Sequence, residues 1–287
     1  QFNQSYTADP EIAKWLKNAD FRRALSLAID RNQLNETFWL GTAVPGSPAP
    51  AESLPYFPGP GWREKWSTFD PKKANELLDK IGLTKRDAQG FRVRTDNGER
   101  LRLQVIAVQA FLPWPKIAEM VADQWAKVGI QADVRDTERN LAFTRTRNNE
   151  HHIMVWNNGG TEFLYLFPRH AIPVDPTEAF MGPEYAKWYA SNGALGTKPD
   201  DPHLLKIFDL FRSAASQKAP ERIEIAKEIW RIVIDQQYGI GTVGQSAALM
   251  GVRLVKNTMG NIPVRNCIAQ HCRTPGGAHP GTWFFKN

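Results

Sequence analysis

Cysteine is scarce in this chain. Only Cys267 and Cys272 occur among 287 residues, and with His271 they fall short of the four ligands of a structural zinc site. So close a pair fits a small disulfide loop in an oxidising compartment and two free thiols in a reducing one. Long apolar runs are also missing. Ile232–Ile234 and Ala247–Met250 are far too short to cross a bilayer. No segment joins a basic start, an apolar core and a small-residue cleavage site, and the chain opens on Gln1-Phe2-Asn3, so a mature or cut product is expected. A single-sign charge field is absent too. The net charge is +6, but 36 Lys and Arg are interspersed with 30 Asp and Glu, and the basic stretches Arg22-Arg23 and Arg139 to Arg147 are short and broken. Solvated helix faces explain them, and no nucleic-acid partner is expected.

Catalytic motifs are missing as well. Gln245-Ser246-Ala247 lacks the glycines of a nucleophile elbow, and Gly159-Gly160 is followed by no phosphate-binding pattern. His151 and His152 are adjacent, so on a strand they face opposite sides and do not share one metal. No catalytic set, metal site or cofactor is predicted.

What is present is ordinary globular material, 42% hydrophobic and 23% charged. Phe21, Ala24, Leu25, Ala28 and Ile29 recur at helical spacing and predict one helix from about Asn18 to Trp39, capped by Asn18 or Asp20. Prolines and glycines crowd Val44 to Trp62 and predict an extended loop. Asp70 as cap, Pro71 in the first turn, Ala74, Leu77, Leu78 and Ile81 inward, and Gly82 as stop mark a second helix. Phe91 to Arg94, the Asp96-Asn97-Gly98 turn, and Leu101, Leu103 and Val105 read as a hairpin. A helix from about Pro115 to Val128 and a strand from Ile130 to Val134 complete a crossover unit. After a polar helical stretch, the strand Ile153–Trp156 runs into Asn157-Asn158-Gly159-Gly160. Residues 161 to 202 read as a long structured loop, Pro202 to Gln217 and Pro220 to Gln236 as helices, and the tail from Tyr238 as short strands.

Phe21-Arg-Arg-Ala-Leu-Ser-Leu-Ala-Ile-Asp-Arg31 resembles a signature of the peptide- and nickel-type solute-binding proteins, family 5. Gly41-Thr-Ala-Val-Pro-Gly46, Phe69-Asp-Pro-Lys-Lys-Ala74 to Gly82-Leu83, and Lys127-Val-Gly-Ile130 with its flanking helix and strand follow in that family's order. The resemblance covers roughly residues 1 to 156 well and the remainder loosely. It implies an α/β fold of the periplasmic-binding-protein type II, a mixed sheet flanked by helices, as a fragment of a two-lobed clamshell. Residues 1–237 would form the second lobe, and 238–287 a segment returning to the first. It implies no enzyme but the binding component of an ABC importer, a monomer outside the cytoplasm that closes over a small solute and delivers it to a membrane permease. In that setting Cys267 and Cys272 are expected to pair.

Peptide-binding relatives commonly carry, after the strand equivalent to Ile153–Trp156, an Asp that pairs with the peptide amino group. Here the loop has no carboxylate before Glu162, whereas Asn side chains offer the donors and acceptors a sugar requires. The strand end is where α/β sheets place ligands, and Phe111 to Trp114 precedes a helix N-terminus. The expected ligand-binding residues are therefore Trp114, Trp156, Asn157, Asn158 and Gly159, with an oligosaccharide as solute and an oligopeptide next. Trp125 and Trp230, inside helical stripes, are expected in the core. A hydrolase or esterase lobe is the alternative from a different class.

Overall fold

A computed structural model describes residues 1–158, 164–245, 254–263 and 279–286. Cys267, Cys272 and Gly159 lie outside the described residues. The first helix, α1 (Pro10–Lys17), begins where Asp9 accepts the N–H groups of Glu11 and Ile12 and Pro10 occupies the first turn. It precedes every helix predicted from periodicity.

The single helix expected from Asn18 to Trp39 is instead two, α2 (Ala19–Leu27) and α3 (Arg31–Trp39). Asn18 caps α2 through the N–H of Phe21 at 3.0 Å. The break comes at Asp30, whose backbone is extended and whose carboxylate accepts the N–H of Gln33 to start α3. The N–H that Asp30 withdraws from the helical ladder is taken up by Gln124 Oε1 at 3.0 Å. The expected extended loop follows, opening with β1 (Val44–Pro45).

The helix α4 (Pro71–Lys80) has the predicted ends. Asp70 accepts the N–H of Lys73 at 2.8 Å, and Gly82 turns the chain at a φ of +96°. The two arms of the expected hairpin touch at the Val93↔Arg100 bridge, and the second runs on into β2 (Arg102–Ala107). A tight hairpin, β3 (Gln109–Ala110) and β4 (Leu112–Pro113), then leads into α5 (Trp114–Ala126), followed by β5 (Gln131–Asp136), α6 (Arg139–Arg147) and β6 (Ile153–Val155).

The central strand β2 pairs in parallel with β5 from Arg102↔Gln131 to Ala107↔Asp136, and with β6 from Val105↔Ile153 to Ala107↔Val155. On the outer edge of β6 the N-terminal segment runs antiparallel: Phe2 bridges Ile153, and Asn3 donates to the carbonyl of His152 at 2.9 Å. The sheet is therefore mixed, as predicted, and α5 crosses over it to join β2 and β5.

The stretch expected to be a loop from 161 to 202 contains a short helical turn at Pro168–His170 and a true helix, α7 (Pro183–Ala190). Pro183 starts α7 and Glu184 sits in its first turn, a favourable pairing with the helix dipole. Next come α8 (Pro202–Ser213) and α9 (Ala219–Gln236), the latter burying Ala226, Ile229, Trp230, Val233 and Ile234 along one face. The tail supplies β7 (Val243–Gly244), antiparallel to β1, and the pair β8 (Met259–Gly260) with β9 (Phe284–Phe285).

Among the described residues, apolar burial divides into three clusters. The largest joins α1 to α5 with the sheet, a second joins α7, α8 and α9, and a small one at the sheet's end holds Ile106, Val108, Phe143, Met154 and Phe180. The buried guanidiniums of Arg22 and Arg31 bind the tail to this body. Arg22 donates to the carbonyls of Leu16, Gln236 and Gln237 and to Gln4 Oε1, and Arg31 to those of Ser26, Ile29, Ser67 and Gly241 and to Ser26 Oγ. Within Phe21 to Arg31, these two arginines are structural anchors.

Candidate functional site

A cavity of about 300 Å³ opens where the three apolar clusters meet. One wall is the face of α5 that carries Trp114, Ile117, Val121 and Trp125. Another is Trp230 and Val233 of α9, and the carboxyl end of β6 supplies Trp156, Asn157 and Asn158. The loop residues Ser47, Ala49 and Arg63 and the passage from Gly239 to Gln245 close the remaining sides. Of the residues singled out in the sequence, Trp114, Trp156, Asn157 and Asn158 thus share one cavity. Parallel strands ending together at the same edge of the sheet bring them there.

Trp156 is half-buried between two aromatic neighbours. Phe143 lies 5.3 Å away and Phe111 5.9 Å away, both edge-on, with the guanidinium of Arg139 at 5.4 Å from the indole. Phe111 sits at the tip of the β3–β4 hairpin with a φ of +62° and is 51% exposed. A bulky side chain in the left-handed region costs energy, and here it holds an aromatic ring at the cavity rim. Trp125 is a core residue, as expected, its indole N–H donating to the carbonyl of Leu25 at 2.9 Å. Trp230 is fully buried too, yet it also borders the cavity.

Unmet hydrogen-bonding groups concentrate here. Gln1 Oε1, Arg63 Nε, Trp114 Nε1, Asn157 Oδ1 and Trp230 Nε1 are buried, have no partner among the described residues, and all belong to residues lining the cavity. A buried polar atom without a partner costs about 1–3 kcal/mol, so a cluster of donors and acceptors is a place for a polar molecule. No Asp or Glu lines the cavity among the described residues. Its basic groups are Arg63, whose guanidinium burial pulls below its usual value, and His170, which meets Glu178 at 3.2 Å.

Among the described residues the lining shows no nucleophile and base in contact. The hydroxyl of Ser47 donates to the carbonyl of Trp62 at 2.7 Å, and Ser246 lies outside the described residues. His151 and His152 sit away from the cavity. His151 Nε2 meets the carbonyl of Phe180 at 2.8 Å, and His152 Nδ1 accepts the N–H of Gln104 at 3.1 Å. Burial lowers both imidazoles to about 4, so they are neutral at pH 7. No cluster of three metal-ligating side chains occurs among the described residues.

Arg63 and Trp230 are the site residues that sequence reasoning does not single out. An arginine in a Pro- and Gly-rich loop reads as solvated, and a tryptophan in a helical stripe reads as core. Ala49, Tyr56, Phe57 and Trp62 of the loop pack into the same cluster as Trp230, and Arg63 is buried next to them in the chain.

The profile of the bacterial extracellular solute-binding proteins, family 5 Middle, matches residues 1–165. Among curated proteins, the chain is 29% identical over 160 residues to a dipeptide-binding protein of Pseudomonas aeruginosa, covering 54% of this chain and 27% of that one. It is 26% identical over 182 residues to the nickel-binding periplasmic protein of Escherichia coli, covering 62% and 31%. It is 23% identical over 257 residues to the periplasmic alpha-galactoside-binding protein of Rhizobium meliloti, covering 86% and 34%. The chain thus spans about a quarter to a third of the length of these relatives. Among solved structures, an oligopeptide-binding protein OppA superposes with a TM-score of 0.83 at 27% identity, over 100% of this chain and 46% of that one. The periplasmic binding protein MelB of Agrobacterium fabrum, in complex with stachyose, shares the fold with a TM-score of 0.68 at 20% identity, over 85% and 37%.

Proposed function

The chain belongs to the bacterial extracellular solute-binding proteins of family 5, and from this we propose that it forms one lobe of a receptor that captures a solute for an ABC importer. The remaining lobe would close over the cavity, and the closed form would present the solute to a membrane permease. Residues 1–237 form the lobe proper in this reading, and the segment from Tyr238 leads back toward the other lobe. The protein would work outside the cytoplasm, as a monomer, by binding and release with no covalent step.

An oligosaccharide is the solute the cavity supports best. The observation that carries this reading is the lining: among the described residues it has no carboxylate to hold a peptide ammonium, and it offers unmet donors and acceptors beside aromatic faces. Sugar hydroxyls both donate and accept, and indole and phenyl faces suit the apolar faces of sugar rings. Trp114, Trp156, Asn157 and Asn158 are the assigned contacts, with Gly159 beside them in the chain. The alpha-galactoside-binding relative, matched over 86% of this chain, supports the same class.

Calorimetry on the full-length gene product, titrated with short oligosaccharides and with short peptides, tests the assignment. Saturable binding of an oligosaccharide is expected. Tight peptide binding with no response to any sugar would replace the solute assignment. Turnover lost on changing a single Ser, His or Asp would replace the transport reading.

A further inference from the structure

Four arginines are buried in the described residues: Arg22, Arg31, Arg63 and Arg92. In Arg22, Arg31 and Arg92 all three guanidinium nitrogens are engaged. Arg92, for instance, reaches Val128 O through Nε, Asp79 and Leu83 O through Nη1, and Asn75 Oδ1 through Nη2. Arg63 differs. Its hydrogen bonds run from Nη2 alone, to the carbonyls of Ala49 at 3.2 Å and Pro50 at 2.5 Å, and its Nε is buried without a partner. Glu52 and Glu64 act on it only through space, and both are exposed. Arg63 is also the one buried arginine that lines the cavity, and it is 6% exposed.

A buried guanidinium with an unused N–H edge and no carboxylate in contact is a poorly compensated cation. The other buried arginines show that this fold saturates such groups where they are only structural. Arg63 itself lines a cavity that has no Asp or Glu among its described residues.

We propose that Arg63 seats a carboxylate of the solute, so that the receptor selects an anionic ligand. Resting on the oligosaccharide reading above, this deepens it to an acidic oligosaccharide, one bearing a uronate. The Nε–H donates to one carboxylate oxygen, while Nη2 stays bound to the loop carbonyls and fixes the plane of the guanidinium. A peptide C-terminus presents the same chemistry, and the test separates the two sources.

The experiment is calorimetry on the full-length gene product with matched probes: α-1,4-trigalacturonate and its carboxyl-reduced neutral counterpart, and trialanine and its C-terminal amide. Wild-type protein should favour the acidic trisaccharide over the neutral one by at least about thirty-fold, the effect of a buried charged hydrogen bond. Arg63→Gln should collapse that preference to near unity. Arg63→Lys keeps the charge without the Nε–H edge and should give an intermediate preference, which serves if the glutamine variant melts early. Equal wild-type affinity for the two trisaccharides, or a preference that survives Arg63→Gln, overturns the proposal and leaves the oligosaccharide reading standing. Binding of trialanine but not its amide, dependent on Arg63 and without any sugar response, keeps the carboxylate seat and removes the oligosaccharide. A wild-type protein that binds neither carboxylate probe overturns the seat.

Discussion

Phe2 donates its backbone N–H to the carbonyl of Tyr238 at 3.1 Å, which places the N-terminal edge of the sheet beside the chain leaving α9. Behind this contact Arg22 lies over the Tyr238 ring at 5.1 Å, and the Tyr238 hydroxyl donates to Asp201 at 2.5 Å. Segments that are remote in sequence are thus fastened to each other at one point.

Arg22→Met should be among the most destabilising single changes in the chain. The guanidinium, drawn down to about 10 by burial yet still charged at neutral pH, satisfies carbonyls at the ends of α1 and α9. Its removal leaves those buried acceptors bare, at a cost of at least about 3 kcal/mol. The urea midpoint should fall accordingly. Lys73→Met, which breaks a solvent-exposed pair with Glu76, should shift it by less than about 0.5 kcal/mol.

Acid should weaken the fold before its carboxylates titrate. His151 and His152 titrate at about 4 in the folded chain, against about 6.5 when unfolded. Between those values the unfolded state takes up protons that the folded state refuses, so stability falls as pH drops from 6.5 toward 4. The slope is at most about 1.4 kcal/mol per pH unit for each ring. Urea titrations at pH 7, 6 and 5 measure it, and His152→Gln should flatten it. A stability unchanged across that range would contradict the burial argument.

Asn157→Ala should separate binding from folding. Asn157 Oδ1 makes no hydrogen bond among the described residues, so its loss should move the melting temperature little. Solute affinity should fall about tenfold, the value of one good hydrogen bond. A large drop in melting temperature without loss of affinity would mean that the side chain props the loop.

Gly241→Ala should disturb the cavity wall through its backbone. A Cβ at Gly241 would clash with the carbonyl carbon of Ser47 and the backbone nitrogen of Pro48. The two segments must separate, pulling the Gly241 carbonyl from Arg31 Nε, now 2.9 Å away. Overpacking of this kind costs about 1–3 kcal/mol, and chemical denaturation should register it.

Local signals were sufficient where they were complete. Asp70, Pro71 and Gly82 bracket α4, and the alternation of Leu101, Leu103 and Val105 leads into β2. They failed where a tertiary contact decides. The break between α2 and α3 carries no Gly or Pro, and Asp30 can leave the helix because Gln124, distant in sequence, receives its N–H. Asp9-Pro10-Glu11 is a legible helix start, yet α1 is eight residues long and its stripe is brief. Pro183 and Glu184 announce α7 equally well, but the surrounding prolines and glycines read as loop. The strand-end rule points to Trp156, Asn157 and Asn158, and all three line the cavity. Arg63 was out of reach because its burial depends on how the loop from Val44 to Trp62 folds back.

The α5 face that borders the cavity is at the same time the main apolar core. Trp114, Ile117, Val121 and Trp125 belong to both, so exchanging any of them to reshape the cavity also loosens the packing between helices and sheet. Phe111 and Asn157 line the cavity without belonging to that core. In the proposed receptor, a change of solute should therefore proceed through the rim, with the floor held constant.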